Sequence, residues 1–240
     1  KGALELYYQP QVKRDGTLYG CEALLRWNYM GQGFVYPPLI IALAVQGDFI
    51  GTLGMYIVEK ACRDMAGART QAGCPVSFSV NILPLELEDP SFADQVLKIL
   101  KDTGVEGSNL TIELTEQVAL NPGPNLERQL EKLRESRVRI SMDDFGMGHG
   151  SLNYLNSAHY DEVKIDGSLI RSLPEHTQTC ELVGNIMNMS RILGVNTVAE
   201  CVETPEQIQM LEKLGCSIYQ GYYYSKPLPR DAFIEYVKGL

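Results

Sequence analysis

The chain has 240 residues, 30 acidic against 21 Lys and Arg, a formal charge of −9, and 45% hydrophobic with 21% charged residues. That length suits one large α/β barrel or two smaller domains, and the composition is that of a folded globular protein. The acidic balance argues against a protein that grips a nucleic-acid polymer through its phosphates, and no apolar run reaches the roughly 18–20 residues that span a bilayer.

Eight short apolar runs read as strands: Leu4–Val12, Gly20–Leu25, Val76–Ile82, Leu110–Leu114, Val138–Asp143, Glu162–Ile165, Thr197–Glu200 and Ser217–Gln220. Only a short turn, around Arg14 to Thr17, separates the first two. Parallel strands need a far longer crossover, so this pair is expected to be antiparallel. Asp89-Pro90 is expected to open a helix that carries Val96, Leu97 and Leu100. Leu126, Leu130 and Leu133 share one helical face, and so do Leu182, Ile186 and Met189. Thr204-Pro205-Glu206-Gln207 has a capping Thr, a Pro at the first helical position and a Gln to complete a capping box. Ile208, Leu211 and Leu214 then supply the buried face.

Eight strands alternating with helices predict a modified TIM (β/α)8 barrel with its first two strands antiparallel. The competing reading is an open doubly wound sheet, although no G-x-G-x-x-G follows an early strand. The chain opens on Lys1 with a strand almost at once, as expected of a single domain, residues 1–240, excised from a longer multidomain chain. Cys21, Cys62, Cys74, Cys180, Cys201 and Cys216 form no C-x-x-C pair. Zinc is therefore not expected, and a reducing cytoplasmic setting is, including the cytoplasmic part of a membrane-anchored protein.

Side chains alternate between the two faces of a strand. Phe78 and Val80 oppose Asn81, Ile112 and Leu114 oppose Glu113, Ile140 and Met142 oppose Asp143, and Val163 and Ile165 oppose Lys164. If the apolar faces pack on surrounding helices, the four polar residues point inward at the C-terminal strand ends, where barrel active sites are built. Glu200 shares parity with Val198, and Gln220 with Ile218, so alternation alone does not place these two. A single carboxylate at a strand end is usually a turn residue or a cap, but successive strands delivering polar groups to one rim favour a site. Carboxylates with Asn81 are hard oxygen donors suited to Mg2+, Mn2+ or Ca2+. Asp143-Asp144 would suffer like-charge repulsion unless cations offset it, and Gly146, Gly148 and Gly150 let the following loop fold closely over such ions.

Beyond this reading, the chain resembles the EAL family of cyclic di-GMP phosphodiesterases over essentially its whole length. The matching motifs are Tyr8-Gln9-Pro10, Glu22-Ala23-Leu24 with Leu25-Arg26-Trp27, Ser79-Val80-Asn81, Glu113-Leu114-Thr115-Glu116, Asp143-Asp144-Phe145-Gly146, Lys164-Ile165-Asp166, Ala199-Glu200 with Val202-Glu203-Thr204, and Gln220-Gly221-Tyr222. The resemblance implies that Glu22, Asn81, Glu113 and Asp143 ligate a first metal, and that Asp143 bridges to a second held with Asp144. It makes Glu22, Lys164 and Glu200 catalytic, with Lys164 near the attacking water or the phosphate and Glu200 also binding metal. Arg26 would meet a substrate phosphate, with Gln9, Leu24 and Gln220 also at the substrate. Glu116 would support the loop after Asp144, and Glu203 would stand near the site in a supporting role.

The implied reaction is hydrolysis of cyclic di-GMP to linear pGpG in bacterial second-messenger signalling. It would use two Mg2+ or Mn2+ ions, with Ca2+ inhibiting. A homodimer and an upstream sensory or GGDEF-type domain are implied as well. The chain departs from the family at Met147, His149 and Gly150, at Ile82-Leu83-Pro84 and Glu86-Leu87, and at Cys201. His149 reads as a solvated loop residue, and Cys201 as a small buried one. The altered loop keeps open a different class of function, a cyclic di-GMP receptor with little turnover. A metal-free scaffold is the third reading.

Overall fold

The structure, a computed structural model, describes residues 4–29, 31, 33–73, 76–116, 124–146, 160–173 and 175–240. Cys74, Met147, His149 and Gly150 lie outside the described residues. In chain order the elements are β1 (Leu4–Lys13), β2 (Leu18–Asn28), β3 (Phe34–Val35), α1 (Pro37–Gln46), α2 (Ile50–Ala72), β4 (Phe78–Asn81), α3 (Pro84–Leu87), α4 (Phe92–Thr103), β5 (Leu110–Thr115), α5 (Pro124–Glu135), β6 (Arg139–Phe145), β7 (Glu162–Ile165), α6 (Gly167–Ser172), α7 (Thr177–Leu193), β8 (Asn196–Ala199), α8 (Pro205–Leu214), β9 (Ile218–Gln220), β10 (Leu228–Pro229) and α9 (Arg230–Lys238).

Eight strands close a barrel in the order β1-β9-β8-β7-β6-β5-β4-β2, with β2 pairing back onto β1. The short β3 and β10 only extend its rim on β2 and β1. β1 runs antiparallel to both of its barrel neighbours, pairing from Leu4↔Trp27 to Val12↔Leu18 with β2 and through Gln11↔Gln220 with β9. All other barrel pairs are parallel. This is the modified TIM barrel that the strand count and the short first turn predict. Among the described residues no helix is long and apolar enough to cross a membrane.

The outward faces supply the core. Val80, Ile112, Ile140, Val163 and Ile165 are fully buried in one cluster with the helices, each worth about 1.5–3 kcal/mol over an exposed side chain. Val198 and Ile218 are buried too but stand apart from that cluster. In register Val198 pairs with Lys164 and Ile218 with Val198, so both fill the barrel interior below the mouth. Their parity partners Glu200 and Gln220 therefore point inward with no departure from the pleat.

Three local expectations need correction. α4 begins at Phe92 rather than at Pro90, because the Asp89 carboxylate accepts from the Ser91 N–H and hydroxyl, both at 2.8 Å, and closes a turn first. Leu182 is 43% exposed, and the buried face of α7 is instead Val183, Ile186, Met187 and Ser190. β6 does not stop at Asp143 but continues through Asp144 to Phe145. The capping box of α8 forms as read: the Thr204 hydroxyl accepts from Gln207 N at 3.3 Å, and Gln207 Oε1 accepts from Thr204 N at 3.0 Å.

Candidate active site

The site is assembled around Lys164, whose side chain is fully buried inside the barrel near the C-terminal end of β7. Its Nζ lies 3.3 Å from Glu22, 3.0 Å from Glu113, 3.2 Å from Asp143 and 2.8 Å from Glu200. These four carboxylates come from β2, β5, β6 and the residue just past β8. Hydrogen bonds fix Glu22 further: Asn81 Nδ2 donates to Oε1 at 2.8 Å and Gln220 Nε2 to Oε2 at 2.5 Å. Gln220 Nε2 also approaches Gln9 Oε1 at 3.4 Å, and Gln11 Nε2 donates to Gln220 Oε1 at 2.9 Å. Gln11 is a member of this network that sequence reasoning missed. Its parity with Gln9 along β1 is the signal that would have found it.

The paired aspartates owe their arrangement to a β-bulge. In the β6–β7 register Met142 pairs with Val163 and Phe145 with Ile165, so Asp143 and Asp144 together oppose the single Lys164. Asp144 takes φ +56°, the left-handed region that aspartate tolerates better than most residues. In a regular strand the two would face opposite sides. Here carboxylate oxygens of Asp143, Asp144 and Glu200 all lie within 4.8 Å of one another.

The electrostatics are unbalanced, because one buried ammonium faces four carboxylates. Burial opposes ionisation of Glu22, but Lys164 and the hydrogen bonds from Gln220 and Asn81 outweigh it and hold its carboxyl low. Burial, then Glu22 and Asp143, push Glu113 well above the usual range in spite of Lys164. Burial pushes Glu200 up to about 8, with Asp143 and Glu22 adding to the effect and Lys164 opposing it. Burial and then Asp143 raise Asp144. Burial works against the charge on Lys164, yet the carboxylates hold its pKa well above the normal value. Glu113 Oε1 is buried without a hydrogen-bond partner. Surplus negative charge, oxygen donors alone and an orphaned carboxylate oxygen make this set fit a divalent cation.

The remaining site residues lie at the mouth or its margin. Arg26 and Leu24 follow Glu22 along β2, and Gln9 pairs with Glu22 across the β1–β2 hairpin. Glu116 is buried, and its Oε2 accepts from the Gly146 N–H at 3.2 Å, at the start of the loop after Asp144. The structure does not draw Glu203 into the cluster: its side chain is exposed, and its N–H donates to Gln207 Oε1 at 2.7 Å. Cys201 is half-buried rather than buried, at φ +52°, a backbone position that favours glycine.

A closed barrel with a carboxylate cluster at the C-terminal mouth defines a (β/α)8 protein suited to divalent metal. The EAL domain family matches residues 1–227, and the chain belongs to that family, whose phosphodiesterases are metal-dependent. It is 35% identical over 236 residues to the cyclic di-GMP phosphodiesterase NbdA of Pseudomonas aeruginosa, covering 98% of this chain and 30% of that protein. It is 35% identical over 229 residues to the oxygen sensor protein DosP of Escherichia coli, covering 95% of this chain and 29% of that protein. The chain thus spans under a third of the length of these relatives. The solved PaMucR phosphodiesterase in complex with c-di-GMP superposes with a TM-score of 0.90 at 33% identity, covering 96% of this chain and 94% of that one.

Proposed function

We propose that this domain hydrolyses one phosphodiester bond of cyclic di-GMP to give linear pGpG. The observation that carries the reading is the convergence of Glu22, Glu113, Asp143 and Glu200 on Lys164 at the mouth of an EAL-family barrel. Glu22, Asn81, Glu113 and Asp143 would hold one ion and Asp143 with Asp144 a second, with Glu200 completing the set; Mg2+ or Mn2+ fits. When bound, such ions neutralise phosphodiester charge and acidify water. Ca2+, with its longer and more variable coordination, is expected to inhibit.

The chain's own side chains supply the rest. Lys164 Nζ keeps its proton and donates toward the attacking water or the phosphate oxygen. Glu200, 2.8 Å from that ammonium, orients the water. Arg26 offers a planar fork of donors to a phosphate. Gln9, Leu24 and Gln220 line the approach, with Gln220 also fixing Glu22. Glu116 supports the loop that follows Asp144 through its bond to Gly146. The same reading takes the domain as cytoplasmic, homodimeric and coupled to an upstream sensory or GGDEF-type domain. The much greater length of its relatives, one of them an oxygen sensor, supports the coupling to a further domain.

Incubation of the purified domain with cyclic di-GMP and Mg2+ or Mn2+ is expected to yield pGpG. Glu22→Ala or Asp143→Ala is expected to abolish turnover with the circular dichroism unchanged. Turnover retained in both variants refutes the assignment, and tight binding with no product moves the domain to the receptor class.

A further inference from the structure

We propose that Tyr7 is a positioning residue that holds Arg26 ready for the substrate phosphate; the inference rests on the phosphodiesterase reading above. Alternation puts Glu22, Leu24 and Arg26 on one face of β2. The hairpin register Gln9↔Glu22, Tyr7↔Leu24 and Glu5↔Arg26 puts Glu5, Tyr7 and Gln9 on the matching face of β1. Glu22 and Gln9 belong to the buried network, so Tyr7 and Arg26 stand on the rim directly above it.

Arg26 is held there in an unusual way for a cation beside so much negative charge. No carboxylate among the described residues pairs with it, and Glu5, opposite in register, stands exposed. Its Nη1 donates to its own Leu25 carbonyl at 2.9 Å. Its guanidinium carbon lies 5.9 Å from the centre of the Tyr7 ring. That ring is in turn fixed by Phe34 of β3, edge-on at 5.6 Å and 78°. A carboxylate in the place of Tyr7 would neutralise the guanidinium and occupy its fork. An aromatic ring attracts the cation through its quadrupole and takes up none of its donors, so the remaining N–H groups stay available to a phosphate. Phe34, Tyr7 and Arg26 thus form a chain of contacts along the rim.

The test compares Tyr7→Leu, Tyr7→Phe and Arg26→Ala, each checked for wild-type circular dichroism, by steady-state kinetics with cyclic di-GMP. Tyr7→Leu is expected to raise KM roughly three- to tenfold, the range of an aromatic–cation contact, with kcat changed less than about twofold. Tyr7→Phe keeps the ring and is expected to keep the wild-type KM. In an Arg26→Ala background, Tyr7→Leu is expected to add nothing. If Tyr7→Leu raises KM by the same factor without Arg26, Tyr7 acts on its own and the proposal falls. It falls likewise if Tyr7→Phe loses as much as Tyr7→Leu. If Arg26→Ala raises KM but Tyr7→Leu does not, the positioning fails while the phosphate contact stands. If Arg26→Ala leaves KM unchanged, both fail. Should turnover be too slow to follow, the same comparisons are read as Kd for cyclic di-GMP by calorimetry.

Discussion

Replacing Lys164 with methionine tests the electrostatic account of the site. The side chain is 1% exposed and touches four carboxylates at 2.8–3.3 Å. Methionine nearly matches lysine in length, so packing is largely kept and the change is one of charge. Removing one partner of a buried ionic group leaves the others uncompensated, which costs about 3–5 kcal/mol. With Lys164 gone, the carboxylates of the folded protein are driven above their unfolded values of roughly 4, so the folded state binds more protons than the unfolded one. Stability in the variant is then fully present at low pH and lost as pH rises through those raised values. Glu113 and Glu200 already sit high in the parent protein, where they titrate against Lys164. Urea titrations of both proteins at pH 5 to 9 without divalent metal are expected to show a gap of about 3–5 kcal/mol at pH 8 that narrows toward pH 5. Mn2+ is expected to raise the Tm of the variant more than that of the parent, because the competing ammonium is absent. A gap that is constant across this pH range and indifferent to Mn2+ would refute the reasoning.

Two other positions make independent predictions. Burial raises the Glu86 carboxyl to about 7 even though it accepts from Leu83 N at 2.8 Å, and its Oε1 lies against Gly54 without a hydrogen-bond partner. The folded state therefore holds a proton that the unfolded chain releases near pH 4.5, and this stabilisation is lost as pH rises through about 7. Glu86→Gln is expected to come within about 1 kcal/mol of the parent at pH 5 and exceed it at pH 8 by about 3 kcal/mol in urea titrations; the same difference at both pH values refutes the shift. Gly221 is buried, and a Cβ there would run into the backbone N, C and O of Val202, itself bonded to Gln220 O at 3.1 Å. Gly221→Ala is expected to lower stability by about 1–3 kcal/mol and to weaken divalent-metal binding, measured by calorimetry, since the strained segment begins at Glu200. Unchanged metal affinity would separate that segment from the site.

What the sequence made legible follows where periodicity and chemistry agreed. All eight barrel strands occur where alternation placed them, and Asn81, Glu113, Asp143 and Lys164 meet at one mouth, because a two-residue period under a layer of helices leaves no other inner face. The runs that became α1 and α2 carried no clear signal. Pro37–Gln46 is apolar almost throughout, with only Ile40 and Ala44 buried, so no stripe marks its inner side. Asp144 eluded alternation for a different reason: a bulge adds one residue to a strand, and two adjacent aspartates look the same in sequence whether the pleat is regular or broken. Glu200 and Gln220 are ambiguous to alternation because each shares parity with an apolar residue, Val198 or Ile218, and a barrel floor needs apolar inner residues as well.

The reversal of β1 ties these observations to the site. In a regular barrel the first strand would run toward the mouth and end there with Val12 and Lys13. Running the other way, β1 puts its tight turn at the opposite end, where Arg14 N bonds Ser217 O at 3.0 Å, and brings Leu4 to Gln9 up beside Glu22, Leu24 and Arg26. Nine β1 residues, Leu4 to Val12, paired against β2 with one register shift between Gln11 and Val12, then hold the rim by a ladder rather than by a loop. Backbone pairing at that density fixes side chains on one face at regular spacing, which is what the contacts from Phe34 through Tyr7 to Arg26 need to keep their geometry. The antiparallel entry therefore does more than open the fold: it gives one wall of the mouth the rigidity of a sheet, where the other strands reach the rim only with their final residues.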